Sequence, residues 1–230
     1  MAYAPESTRA SIRAALRCRV DMIELDVQVT RDRRLVIFHD HTLDRTTDGR
    51  GLLARRRYAE LARLDAGAWF APRFAGERIL LASQVLRAIP APCRINLELK
   101  RTMQPAVLIR RLVRCVRWTG TVRRVLVSSF DAGLLARLKQ ADPRIPRALL
   151  CARRPQPALR KAVRLGCTAF HPHYSLITPS LVEAAHAAGL RVHTWTVNRV
   201  RDARRLLDMG VDGMVSNVPD RITAALRRRR

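Results

Sequence analysis

The chain has 230 residues, 48% hydrophobic and 27% charged, which suits one globular domain with a sizeable core and excludes a disordered polymer. Five cysteines, odd in number and with no Cys-x-x-Cys pair, exclude a disulfide framework or zinc site and predict a cytoplasmic protein; no apolar stretch can span a membrane and residues 1–9 hold no signal-peptide core. The net charge of +25 comes almost wholly from arginines scattered along helical segments without interleaved aromatics, so we expect solvated faces and no nucleic-acid partner.

Residues 7–17 predict a helix capped by Ser7 or Thr8. Residues 22–30 form a first buried strand, with 35–39 an excursion from it. Residues 41–81, rich in Asp, Gly, Arg and aromatics, show no clean alternation and read as an insertion over one end of the fold. From Arg94 onward, apolar runs at 95–100, 125–130, 148–151, 169–173, 191–197 and 213–218 alternate with helical spacing at 105–118, 132–141, 157–165, 179–188 and 200–209. Asp131 stands as an N-cap, Pro157 and Pro179 near helix starts, and Gly166, Gly189 and Gly210 as helix stops. Residues 227–230 are expected as a solvated tail.

Repeated strand–helix alternation predicts an α/β protein with a parallel sheet, and the strand count favours a closed (β/α) barrel. No Gly-x-Gly-x-x-Gly follows a strand, which disfavours a dinucleotide-binding sheet. The count reaches seven barrel strands rather than eight, because no strand precedes the first helix. The whole of 1–230 is expected as one domain.

Charged residues interrupt the apolar strands at few places. Glu24 and Asp26 lie two apart on one strand, Glu98 and Lys100 two apart on another, so each pair shares a face. Three carboxylates supply oxygen ligands only, which suits Mg²⁺ or Ca²⁺ over zinc or copper. Lys100 would add a point charge for a phosphate. His39 ends an apolar run and is a candidate for proton transfer near neutral pH, with Asp40 to orient it. Trp195, at another strand end, could wall a pocket; His41, His171, His173, His186 and His193 are weaker candidates.

These residues resemble the glycerophosphodiester phosphodiesterases, and most closely the bacterial cytoplasmic type. The likeness runs through Ile23-Glu24-Leu25-Asp26-Val27, His39-Asp40-His41-Thr42-Leu43-Asp44-Arg45-Thr46-Thr47 and Leu64-Asp65-Ala66-Gly67-Ala68-Trp69-Phe70. It continues through Asn96-Leu97-Glu98-Leu99-Lys100, Ser128-Ser129-Phe130, Thr194-Trp195-Thr196-Val197-Asn198 and Gly210-Val211-Asp212-Gly213, in the family's order. The resemblance implies a TIM-type barrel that hydrolyses glycerophosphodiesters to glycerol 3-phosphate and an alcohol, with a divalent cation. It casts Glu24, Asp26 and Glu98 as metal ligands, His39 as an acid/base, Lys100 as a phosphate contact and Trp195 as a pocket wall. It also implies an inserted small domain at 41–81.

Two departures stand against it. The family opens with a strand ending in His-Arg-Gly before a Pro-Glu-Asn-Thr segment; here Pro5-Glu6-Ser7-Thr8 remains but the strand does not. With that strand go a second catalytic histidine and a phosphate-binding arginine, and the expectation is that the coding sequence starts upstream of Met1. The alternative is a catalytically impaired relative that binds phosphodiesters or anionic surfaces without turnover. Asn217 also stands where the family usually carries an acid.

Overall fold

A computed structural model of the chain describes residues 2–227, so residues 228–230 of the expected basic tail lie outside the described residues. In chain order the elements are α1 (Arg9–Arg17), β1 (Met22–Val29), β2 (Leu35–Ile37), α2 (Tyr58–Leu61), β3 (Leu80–Leu81), α3 (Ala82–Ala88) and β4 (Arg94–Leu99). The regular half follows: α4 (Pro105–Trp118), β5 (Val125–Ser129), α5 (Ala132–Ala141), β6 (Arg147–Cys151), α6 (Pro155–Arg164), β7 (Ala169–Pro172), α7 (Pro179–Ala187), β8 (Arg191–Thr194), α8 (Val200–Asp208), β9 (Gly213–Met214) and α9 (Pro219–Arg227).

Local chemistry accounts for the boundaries. Thr8 caps α1 by accepting from the Ser11 amide, while the Ser11 hydroxyl oxygen accepts from the Thr8 amide. Asp131 caps α5 through the amides of Gly133 and Leu134. Gly166, Gly189 and Gly210 end α6, α7 and α8 with φ of 63°, 74° and 82°, a left-handed turn that glycine adopts without strain. Helix α6 starts at Pro155, two residues before the expected Pro157, because either proline suits a first turn.

Strands β1 and β4 to β9 are parallel neighbours in one sheet, and β2 and β3 extend it antiparallel beyond β1. Seven parallel strands match the expected count. Strands β9 and β1 do not pair, so the sheet of the described residues is not closed. The N-terminal segment lies beside the end of β9, where the Ala2 amide donates to the Asn217 carbonyl and the Tyr3 hydroxyl to Asp220.

The alternation along each strand separates core from site. Ile23, Leu25, Val27 and Val29 of β1 and Ile95, Leu97 and Leu99 of β4 pack with Leu108, Leu112 and Val116 of α4 in one core. Removing each such side chain from water stabilises the fold by roughly 1.5–3 kcal/mol. Their strand neighbours Glu24, Asp26, Gln28, Asn96 and Glu98 therefore face the other side of the sheet. A second core joins Leu149, Phe170, Leu181, Val192 and Leu206. Residues 41–81 hold a small core of their own, where Leu43, Leu53, Leu61 and Ile79 pack on Val36 and Phe38.

Candidate active site

Parallel strands put their carboxyl ends on one side, where barrel enzymes build their sites. Asp26 and Glu98 are register partners across β1 and β4, and Glu24 sits one pleat below Asp26 beside Asn96. One ligand oxygen from each of Glu24, Asp26 and Glu98 lies within 4.8 Å of the other two. Lys100 joins them: its Nζ is 2.8 Å from Asp26 Oδ1 and 2.6 Å from Glu98 Oε1. The four side chains that strand spacing paired on two strands thus form one cluster.

The cluster carries more negative charge than Lys100 offsets. Burial, and then the charges of Asp26 and Glu98, push the Glu24 carboxyl well above its ordinary range. Glu98 is raised as well, first by burial and then by Asp26, against the pull of Lys100. Burial works to lower the Lys100 pKa, but the charges and hydrogen bonds of Asp26 and Glu98 outweigh it and raise it. Glu24 Oε1 is buried and has no hydrogen-bond partner. A buried, unpartnered carboxylate oxygen among like charges is a donor set that fits a hard divalent cation.

His39 stands just beyond β2. Its Nδ1 is 2.6 Å from Asp40 Oδ1, so the ring donates there and leaves Nε2 free. Arg45 grips the same carboxylate, with Nε 2.6 Å from Oδ2 and Nη2 3.0 Å from Oδ1. The Arg45 contacts, and after them the His39 bond, hold the Asp40 carboxyl down at about 2. The other edge of Arg45 takes both oxygens of Glu6, which ties the N-terminal segment to the His39 turn. The positive charge of His39 would be felt at Glu98, and the charge of Glu6 at Glu24, so the two clusters share one electrostatic field.

Gln28 fixes that turn from below. Its carboxamide nitrogen donates to the carbonyls of Phe38 (3.0 Å), His39 and Asp40. The Phe38 amide in turn donates to the Asp26 carbonyl at 2.9 Å. Sequence reasoning missed Gln28 and Arg45. For Gln28 a signal existed, since it continues the Glu24, Asp26 spacing as a polar residue on an otherwise apolar strand.

Trp195 follows β8, and its Nε1 donates to the His171 carbonyl at 2.9 Å. Its ring meets Phe130 and His173 edge to face, with centroids 5.5 and 5.0 Å away, forming an aromatic wall on the far side of the sheet from β2. His171 is buried beneath it and held neutral by burial, which lowers its pKa well below the ordinary value. His186 pairs with Asp212 instead, away from the carboxylates.

Residues 1–221 match the model of the "Glycerophosphoryl diester phosphodiesterase family". A glycerophosphodiester phosphodiesterase of Caldanaerobacter subterraneus is 34% identical over 227 residues, which cover 97% of this chain and 93% of the relative. One from Bacillus altitudinis is 34% identical over 94% of this chain and 91% of its own length. Among solved structures, an Oleispira antarctica phosphodiesterase in complex with the product sn-glycerol-3-phosphate superposes with a TM-score of 0.91 at 31% identity. That match covers 98% of this chain and 92% of the other.

Proposed function

We propose, for a chain that belongs to the glycerophosphoryl diester phosphodiesterase family, that its phosphodiesterase activity depends on a divalent cation held by Glu24, Asp26 and Glu98. The observation that carries this reading is the buried, unpartnered Glu24 Oε1 among three converging carboxylates. Bound there, Mg²⁺ or Ca²⁺ would polarise a phosphoryl oxygen and offset the charge that builds on it.

The remaining roles follow from the chain's own groups. Lys100, between Asp26 and Glu98, presents its ammonium to the phosphate as a point charge. His39, oriented through Nδ1 by Asp40, offers Nε2 for one proton transfer: to the leaving alcohol oxygen or from the attacking water. The P–O bond to the alcohol breaks, a P–O bond from water forms, and glycerol 3-phosphate and the alcohol leave. Trp195 and its aromatic neighbours wall the pocket. Residues 41–81 carry Arg45 and so brace the His39 turn as well as flanking the approach to it.

Incubation with glycerophosphocholine and Mg²⁺ or Ca²⁺ tests the assignment. Equal release of choline and glycerol 3-phosphate, lost in His39→Ala, is the expected result. Release of phosphocholine and glycerol would place the cleaved bond on the wrong side of the phosphorus. Tight binding of glycerophosphocholine with no release of either product would instead support binding without turnover.

A further inference from the structure

Several arginines at the amino ends of the sheet are committed to the protein, although Arg94, Arg123 and Arg191 there are exposed. Arg124 donates to the carbonyls of Ile89 and Cys93, Arg147 to those of Pro143, Ile145 and Gly166, and Arg117 and Arg144 pair with buried Asp142. At the carboxyl ends, Arg101 after β4, Arg153 and Arg154 after β6, and Arg199 after β8 are exposed, and none makes a side-chain hydrogen bond or ion pair among the described residues.

Across the loops that follow β4 to β9 there is one acid, Asp131, and its carboxylate is occupied in capping α5. The same rim projects two apolar side chains: Met103 is 97% exposed and Phe130 49%. Unpaired guanidinium groups around projecting apolar side chains are the chemistry of an interfacial contact with anionic lipid, where charge attracts and the apolar tips enter the headgroup layer.

We propose that the carboxyl-end rim, with Met103 and Phe130 at its crest and Arg101, Arg153, Arg154 and Arg199 around them, docks the protein on the surface of anionic phospholipid bilayers. Charge complementarity selects this occupant: the loops after β4 to β9 carry exposed arginines and one committed acid, and a phosphatidylglycerol surface is negative. Docking would turn the mouth of the site toward the membrane. Binding does not require turnover, so it stands or falls apart from the hydrolytic assignment.

Flotation with vesicles tests it, with the full chain and no substrate. Binding to phosphatidylglycerol–phosphatidylcholine vesicles is expected, weakened by added salt, and absent on phosphatidylcholine alone. The triple variant Arg101→Gln, Arg153→Gln, Arg199→Gln should bind at least about tenfold more weakly, and Met103→Asp several-fold more weakly. Removing three charges elsewhere, by Arg110→Gln, Arg114→Gln and Arg160→Gln on the helical flank, should leave most of the binding. Equal losses from rim and flank variants, or full binding by Met103→Asp, would reduce the effect to net charge and overturn the proposal. So would tighter binding to a polyuridine RNA that is indifferent to Met103.

Discussion

Arg45 holds Asp40 in a two-point grip, with Nε on Oδ2 and Nη2 on Oδ1, and Asp40 passes that constraint to His39 through a 2.6 Å bond. The planar fork matters, because lysine would keep the charge but lose the second contact. We therefore expect Asp40→Asn to lower kcat about tenfold with KM little changed, the loss of one charge-assisted hydrogen bond. Arg45→Lys should fall between wild type and Asp40→Asn. Steady-state kinetics on glycerophosphocholine checks both, and a change confined to KM would contradict a role in holding the histidine.

Gln28 binds the turn through three carbonyls, so Gln28→Leu leaves them without their donor. The cost in stability should be about 1–3 kcal/mol, read from urea denaturation. Activity should drop by more than the folded fraction does, because His39 loses its platform. A variant that is less stable but fully active per folded molecule would show the clamp to be structural alone.

Lys100 offsets two of three clustered carboxylates. Lys100→Met should destabilise the cation-free protein by about 3–5 kcal/mol, the typical cost of breaking a buried ion pair. Added Mg²⁺ or Ca²⁺ should raise the melting temperature of this variant more than that of the wild type, because the cation then takes over the neutralising charge. An equal rise in both would mean that Lys100 and the cation do not neutralise the same charges.

Much of this was legible in the residues, and what was not has a physical cause. The seven parallel strands follow from apolar runs bounded by caps and glycines, so β4 to β9 and α4 to α8 fall close to their expected places. Strand β3 has two residues and α2 four, too short for any period to register, and α3 has only seven. Glu24, Asp26, Glu98 and Lys100 stood out because charge on a buried strand requires a reason. The Glu6–Arg45 contact spans 39 residues and joins two irregular segments, where no periodicity brings partners together. His39 and Asp40 were adjacent in sequence, so their pairing could be read directly, but not what holds Asp40.

Asp142 provides a test of stability apart from the site. Its carboxyl is nearly fully buried, and hydrogen bonds from Arg144 and then Arg117 push its pKa far below the ordinary value. A carboxylate whose folded pKa is depressed stabilises the fold above its unfolded pKa of about 4, and that contribution fades as pH falls below it. Asp142→Asn should cost about 1–3 kcal/mol at pH 7 and progressively less in acid. Denaturation curves from pH 7 down to about 3 check the convergence of variant and wild type; a constant gap would contradict it.

The central claim is that Glu24, Asp26 and Glu98 hold the cation on which hydrolysis depends. The most direct measurement is glycerol 3-phosphate release from glycerophosphocholine by wild type and Asp26→Asn, each chelated and then reloaded with Mg²⁺ or Ca²⁺. Chelation is expected to abolish wild-type release and the cation to restore it, while Asp26→Asn stays at least about 100-fold slower at any cation concentration. Hydrolysis that survives chelation, or wild-type rates in Asp26→Asn, would contradict it.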